Sequence, residues 1–208
     1  MVRAIAVFAA FAGFLSLPAS AADAIASSAG LYRIPFTDGL WVQVFDDARS
    51  HQPPGRLDLF ATRGTKPFAV VAAAPGRVMA IQDGFSEQQS GRSAKECHNN
   101  YVWIAHANGE WSNYSHLAHR SVTDKARLRV GDQVRAGQYL GDEGAVGCAM
   151  LDHVHFEIGM PDSARPMDAG GFLTDNENGK RNRIPRLCGV PGGEVAKGAL
   201  YKAAPCQP

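Results

Sequence analysis

The chain shows almost no imbalance of charge and no repeated pattern along its length. Its 21 Lys and Arg residues against 20 Asp and Glu residues leave a formal net charge of +1 over 208 residues. A near-neutral chain has no field that steers nucleic acid toward it, so no nucleic-acid partner is expected. Neither an internal repeat nor a heptad pattern is present. At this length, with 45% hydrophobic residues, we expect one domain built around one core.

The apolar run at the N-terminus is too short to span a bilayer. Arg3 precedes an apolar run over residues 4–17, and Pro18 then separates this run from the small residues 19–21. A membrane anchor needs about 20 apolar residues, whereas this layout is typical of a secretory signal peptide. We therefore predict a signal peptide over residues 1–21, export to the periplasm or the exterior, and no stable membrane insertion.

Cysteine is scarce, and no C-x-x-C motif is present. The four cysteines are Cys97, Cys148, Cys188 and Cys206. An even number in an exported protein favours two disulfides over zinc-thiolate or thiol chemistry, and three pairings are possible. We expect Cys97 to pair with Cys148, tying two loops beside the site inferred below, and Cys188 to pair with Cys206 in a Gly/Pro-rich tail.

Few windows show helical periodicity, and short strand-like segments recur between turn signals. These segments are residues 41–45, 56–60, 68–73, 77–81, 101–106, 110–115 and 151–158. Asn108-Gly109 predicts a hairpin between the fifth and sixth segments. We expect a mainly β fold, an antiparallel sandwich or partly open barrel with long loops around the site inferred below. We further predict a lead-in over residues 22–40, a main domain over residues 41–165 that carries this site, and a disulfide-held loop tail over residues 166–208.

The segment L-D-H-V-H-F-E-I at residues 151–158 carries the clearest chemical signal. Side chains alternate faces along a strand, so His153, His155 and Glu157 share one face while the apolar residues share the other. Two imidazoles about 7 Å apart on one face allow one to bind a metal while the other acts on a metal-bound water. The alternative is a pair of hydrogen-bonded structural histidines. The pattern nonetheless suggests a zinc hydrolase.

A catalytic zinc needs about three protein ligands and one open position. His155 is the last of seven histidines, so the remaining ligands must lie upstream. The best candidates are His51 and Asp58, which a Pro-Pro-Gly turn brings toward each other. Asp58 lies among apolar residues, where a carboxylate is costly unless it is paired or metal-bound. His116, in N-Y-S-H-L at the end of the second hairpin strand, is a candidate for proton transfer or oxyanion support.

Four blocks occur in the order known from one family. They are His51 with Asp58, Y-S-H-L at residues 114–117, G-D-Q-V-R-A-G at 131–137, and H-V-H-F-E at 153–157. The chain thereby resembles the LytM/lysostaphin-type zinc metallopeptidases (Gly-Gly endopeptidases), with a layout similar to the LasA-like secreted members. It departs from them in the seven-residue separation of His51 from Asp58 and in G-D-E-G at residues 141–144, where relatives have a G-N-T-G-like turn.

The resemblance implies one Zn²⁺ per chain, bound by His51, Asp58 and His155, with His116 and His153 catalytic. His153 is our candidate general base and His116 our candidate oxyanion stabiliser, or the two roles are exchanged. The implied substrates are peptide cross-links or stem peptides of peptidoglycan, or glycine-rich peptides, and a monomer is expected.

Two competing hypotheses come from other classes. The first is a catalytically inactive relative that regulates or binds components of the cell envelope. The second is an unrelated metal-binding β-barrel, which would need a further histidine downstream of His155. None exists there. For His106 two positions are possible, one lining the cleft and one with a structural role in the hairpin. Tyr114 is expected to be structural.

Overall fold

The computed structural model of the protein describes residues 25–89, 97–162, 167–168, 170–173 and 181–207. The predicted signal peptide lies outside the described residues. The described part contains β1 (Trp41–Asp46), β2 (Arg56–Ala61), β3 (Ala69–Val71), β4 (Gly76–Gln82), β5 (Tyr101–Ala105), β6 (Trp111–Ser115), β7 (Gln133–Val134), β8 (Tyr139–Asp142), β9 (Val154–Gly159), β10 (Asn182–Arg183) and β11 (Leu200–Lys202). One π-helical turn, Ser121–Lys125, is the helical element among them. Within these residues no helix is long and apolar enough to cross a membrane.

The strands form two antiparallel sheets that do not close into a barrel. The large sheet has the order β11-β1-β2-β9-β6-β5-β4-β7, with β10 also paired to β9, and the small sheet pairs β3 with β8. Every pairing between the strands that the structure describes is antiparallel. The prediction of a mainly β, antiparallel architecture is confirmed.

β9 lies at the centre of the large sheet and is buried along its whole length. Its apolar face, formed by Val154, Phe156 and Ile158, is fully buried in the hydrophobic core. The opposite face carries His155 and Glu157, which are also buried. β2 and β6 flank this strand, and their register places Asp58 of β2 opposite His155. The sheet thereby brings together two predicted ligands that are far apart in the sequence.

The predicted hairpin is present between β5 and β6. The turn between the two strands includes Gly109 at φ 83, a left-handed conformation that glycine adopts without strain. His116 follows directly after β6, so the hairpin delivers this histidine to the edge of the region around Asp58 and His155.

The C-terminal region is more ordered than its sequence indicates. We predicted a disulfide-held loop tail over residues 166–208, but β10 pairs with β9 and β11 pairs with β1. These strands are two and three residues long, too short for alternation to be visible, and existing sheet strands complete their hydrogen bonds. Both predicted disulfides, Cys97–Cys148 and Cys188–Cys206, are confirmed.

Candidate metal centre

Asp58 is the centre of a cluster of three imidazoles. Its Oδ2 lies 3.5 Å from Nε2 of His51, and its Oδ1 lies 3.2 Å from Nδ1 of His155. Oδ1 also lies 3.5 Å from Nε2 of His153. The ligand atoms of His51, Asp58 and His155 all lie within 4.8 Å of one another. The structure therefore brings together the three residues predicted to bind metal.

The turn before β2 orients His51. Backbone hydrogen bonds from His51 N to Asp47 O and from Gly55 N to Ala48 O close this turn. The imidazole Nδ1 lies 2.7 Å from Pro53 O and donates to it, because a carbonyl can only accept. The lone pair of Nε2 is then left facing Asp58, which is the state that a metal ligand requires.

His116 and His153 are held in the same way, beside the cluster. Nδ1 of His116 donates to Val146 O and Nδ1 of His153 donates to Leu151 O, each over 2.8 Å. Their ring centroids lie 4.7 Å apart. Backbone carbonyls thus fix one tautomer in both rings and leave Nε2 unprotonated when the ring is neutral. The two predicted catalytic residues lie next to each other, beside the metal-binding set.

Burial and charge set the protonation states in the cluster. Burial lowers the pKa of both His116 and His155 to about 3. Burial also opposes protonation of His153, but its hydrogen bond to the Asp58 carboxylate and the attraction of that charge raise its pKa. Burial of Asp58 is outweighed by the contacts of its carboxylate with the rings of His153, His155 and His51, which hold its pKa far below the usual range. At neutral pH the cluster therefore presents an ionised Asp58 carboxylate and a neutral His155 imidazole.

This donor set fits zinc. Two imidazoles and one carboxylate are a ligand set of catalytic zinc sites, where a fourth position stays open for water or substrate. The His51 and Asp58 side chains are only 12% and 13% exposed, and His155 is more buried still. Nε2 of His155 is buried without a hydrogen-bond partner among the described residues. His51, Asp58 and His155 would hold the ion, and the cleft would supply access to its open side.

A buried ion pair lies next to His155 on the same face of the sheet, and an aromatic ring packs against His155; neither is predicted from the sequence. Arg56 Nε donates to Glu157 Oε2 over 2.9 Å, and both side chains are buried. The Phe172 ring packs edge-on against His155 with centroids 4.9 Å apart and lies 5.7 Å from the Arg56 guanidinium carbon. Arg56 and Glu157 lie directly opposite each other on β2 and β9, so the pair can be identified only when the pairing of these strands is known. Phe172 lies in a stretch without any pattern, so no local signal identifies it.

The cluster opens onto a cleft of about 370 Å³. All five predicted site residues line it, together with Arg56, Phe172 and the Cys97–Cys148 disulfide. Two apolar side chains on its lining, Phe45 and Met150, are 36% and 84% exposed. The cleft therefore offers both polar and apolar contacts to an extended ligand.

His106 and Tyr114 are not in the cleft. The His106 ring hydrogen bonds with Pro75 O and Ser112 Oγ, so its position is the structural one in the hairpin. Tyr114 is fully buried, and its hydroxyl accepts a hydrogen bond from Ala73 N over 2.7 Å. Its ring packs at a tilt against Phe156, with centroids 5.4 Å apart. The expected structural role of Tyr114 agrees with these contacts.

Comparison with known proteins gives the family. The profile of Peptidase family M23 matches residues 54–168. This chain belongs to Peptidase family M23. The matched range contains Asp58, His116, His153 and His155, while His51 lies three residues before it. The resemblance to LytM/lysostaphin-type metallopeptidases is thereby confirmed.

Individual relatives cover the chain in part. The peptidoglycan DD-endopeptidase ShyC of Vibrio cholerae is 32% identical over 114 residues, which are 55% of this chain and 23% of that protein. This chain thus spans less than a quarter of that relative. A zinc-containing peptidase from Vibrio cholerae is 22% identical over 66% of this chain and 40% of that one, with a TM-score of 0.41. The catalytic domain of lysostaphin from Staphylococcus simulans is 23% identical over 65% of this chain and 82% of that one, with a TM-score of 0.37. Likenesses at these scores carry no inference about activity.

Proposed function

We propose that this M23 peptidase is an exported, zinc-dependent endopeptidase that hydrolyses peptide bonds in peptidoglycan cross-links or stem peptides. The observation that carries the proposal is the convergence of His51 and His155 on Asp58, with the rings of His116 and His153 beside them. A catalytically inactive relative has no need of all five side chains in these orientations.

Zinc at Asp58 would supply a Lewis acid for the scissile carbonyl and a water of lowered pKa. Proton transfer and stabilisation of the oxyanion fall to two side chains of the protein, His116 and His153. The ring proton of His116 is on Nδ1, in the hydrogen bond to Val146 O, so the Nε2 lone pair is free to accept a proton from the attacking water. Val146 O then stabilises the imidazolium through the same Nδ1 hydrogen bond.

His153 is suited to the complementary role. Asp58 favours its protonated form, and a protonated Nε2 can donate to the oxyanion that develops on the scissile carbonyl. Of the two assignments considered from the sequence, the one proposed here makes His116 the general base and His153 the oxyanion stabiliser. Positioned proton transfer contributes about 10²- to 10⁴-fold to rate, so removing either imidazole should reduce kcat by that order while the metal ligands remain.

The substrate class is supported by the relative of known activity. The chain is 32% identical over 114 residues to a peptidoglycan DD-endopeptidase, and the open cleft lined by Phe45 and Met150 can receive an extended peptide. Glycine-rich peptides are the alternative substrate of the same chemistry. The two disulfides support export, because such bonds persist in the periplasm or outside the cell.

Digestion of purified muropeptides and of pentaglycine-bridged cell wall, with mass analysis of the products, tests this proposal. We expect peptide-bond cleavage that a chelator abolishes and zinc restores. His153→Ala should lose the activity, whereas His119→Ala, a change at an exposed histidine, should keep it. Wall lysis that survives His153→Ala would favour the regulatory class of relative instead.

A further inference from the structure

His116 donates two hydrogen bonds, each to a different segment of the chain. Its backbone N donates to the Asn99 side-chain Oδ1 over 3.0 Å, and its imidazole Nδ1 donates to Val146 O over 2.8 Å. Its backbone has φ 65, in the left-handed region that costs free energy for a residue with a side chain. Such a conformation persists only where surrounding contacts enforce it, so the placement of this imidazole depends on Asn99 and Val146.

The two anchors belong to separate loops, and a disulfide joins those loops. Cys97 lies two residues before Asn99, and Cys148 lies two residues after Val146. The loops pack closely, since a side chain at Gly147 would come within 3.2 Å of the Asn99 backbone. The Cys97–Cys148 bond therefore spans the pair of loops whose spacing determines where the His116 ring lies.

The metal ligands have other supports. Asp58 is on β2 and His155 is on β9, where ladder hydrogen bonds of the sheet hold them. His51 lies in the turn closed by Asp47, Ala48 and Gly55. None of these three residues is on the loops that the Cys97–Cys148 disulfide joins, although the disulfide lines the same cleft.

We propose that the Cys97–Cys148 disulfide is a positioning element for His116. By fixing the Asn99 and Val146 anchors relative to each other, it keeps the imidazole in the tautomer with Nδ1 protonated and Nε2 directed to the cleft. Its loss lowers turnover and leaves the metal ligands in place. This inference rests on the proposed function for its kinetic consequence, but its structural part, the tautomer of His116, is independent of any activity.

The chain offers a matched control for the experiment. The second disulfide, Cys188–Cys206, closes a comparable contact in the tail and neither of its residues lines the cleft. The test compares Cys97→Ser/Cys148→Ser with Cys188→Ser/Cys206→Ser and the unmodified protein, all loaded with zinc. Three quantities are measured: zinc content, kcat and KM on a muropeptide, and the His116 tautomer from ¹⁵N chemical shifts of the ring.

We expect the Cys97→Ser/Cys148→Ser protein to keep one zinc per chain and to have a KM within about twofold of the unmodified protein. Its kcat should fall by about 10- to 100-fold, because small displacements of a catalytic group have effects of this size. Its His116 signals should change from the Nδ1-protonated tautomer to a mixture. The Cys188→Ser/Cys206→Ser protein should match the unmodified protein in kcat and in tautomer.

An unchanged kcat and tautomer in the Cys97→Ser/Cys148→Ser protein would overturn the inference, and so would loss of zinc together with activity in a folded variant. If that variant does not fold, Asn99→Ala with the disulfide intact decides the question. It should show the same selective fall in kcat and the same mixed tautomer, and their absence would refute the positioning role. An unmodified protein that binds zinc but cleaves no peptide would count against the proposed function, while the tautomer comparison would still test this inference.

Discussion

The buried Arg56–Glu157 ion pair, next to His155 on the sheet, gives a stability prediction whose size follows from the structure. Glu157 is 0% exposed and Arg56 is 5% exposed. The carboxylate accepts from Arg56 Nε over 2.9 Å and from Leu173 N over 3.1 Å. Arg56→Met removes the cation and leaves the carboxylate with one neutral donor. Breaking one side of a buried ion pair costs about 3–5 kcal/mol, so we expect the free energy of unfolding to fall by that amount.

The double variant separates the charge effect from lost packing. In Arg56→Met/Glu157→Gln no buried charge is left unpaired, and the Gln oxygen can still accept from Leu173 N. Replacing both partners of a buried pair is often close to neutral, so the double variant should regain most of the lost stability. Urea unfolding of the zinc-free proteins, followed by tryptophan fluorescence, measures both values.

An exposed ion pair supplies the control. Arg49 pairs with Glu194 over 3.2 Å, but the Arg49 side chain is 78% exposed. Exposed pairs contribute about 0–1 kcal/mol, so Arg49→Met should change the free energy of unfolding by less than about 1 kcal/mol. If Arg56→Met costs no more than Arg49→Met, or if the double variant is as unstable as the single one, the reasoning about the buried pair is wrong.

Three further predictions concern pH, a close backbone contact and the metal. Burial raises the pKa of Glu143 from 4.5 to about 7, so its charged form is disfavoured in the folded state. The free energy of unfolding should therefore fall by about 3 kcal/mol as the pH rises from 4.5 to about 7. In thermal unfolding, Glu143→Gln should be more stable than the unmodified protein at pH 8 but not at pH 5. A side chain at Gly144 would come within 2.9 Å of the His116 carbonyl and within 2.8 Å of Ala118 N. Gly144→Ala should therefore destabilise the fold by about 1–3 kcal/mol in urea unfolding, and a melting curve like that of the unmodified protein would contradict the tight contact. Zinc at 100 times its Kd should stabilise the chelator-treated protein by about 2.7 kcal/mol, and calorimetry should show no such stabilisation in Asp58→Ala.

The sequence could predict the parts of the site that depend on local spacing. The alternation over residues 153–158 identifies β9, because both of its faces are specified by side chains two residues apart. Asn108-Gly109 identifies the hairpin that delivers His116. His51 and Asp58 follow from the Pro-Pro-Gly turn between them and from the family resemblance.

The rest depends on contacts between distant segments. The strand expected over residues 68–73 is only Ala69–Val71, since its length is set by its pairing with β8. β10 and β11 exist because β9 and β1 offer hydrogen-bonding partners to short segments that have no pattern of their own. The contact of Phe172 with His155 also joins segments that are separate in the sequence, so local sequence patterns cannot predict that this ring lies beside the site.

The zinc content of the purified variants, measured by elemental mass spectrometry after removal of unbound ion, shows whether His51, Asp58 and His155 bind the metal. We expect one zinc per chain in the unmodified protein and in His116→Ala and His153→Ala. We expect loss of zinc in Asp58→Ala and His155→Ala, whose side chains form the cluster. An unmodified protein that binds no zinc, or an Asp58→Ala protein that retains a full equivalent, would contradict this assignment.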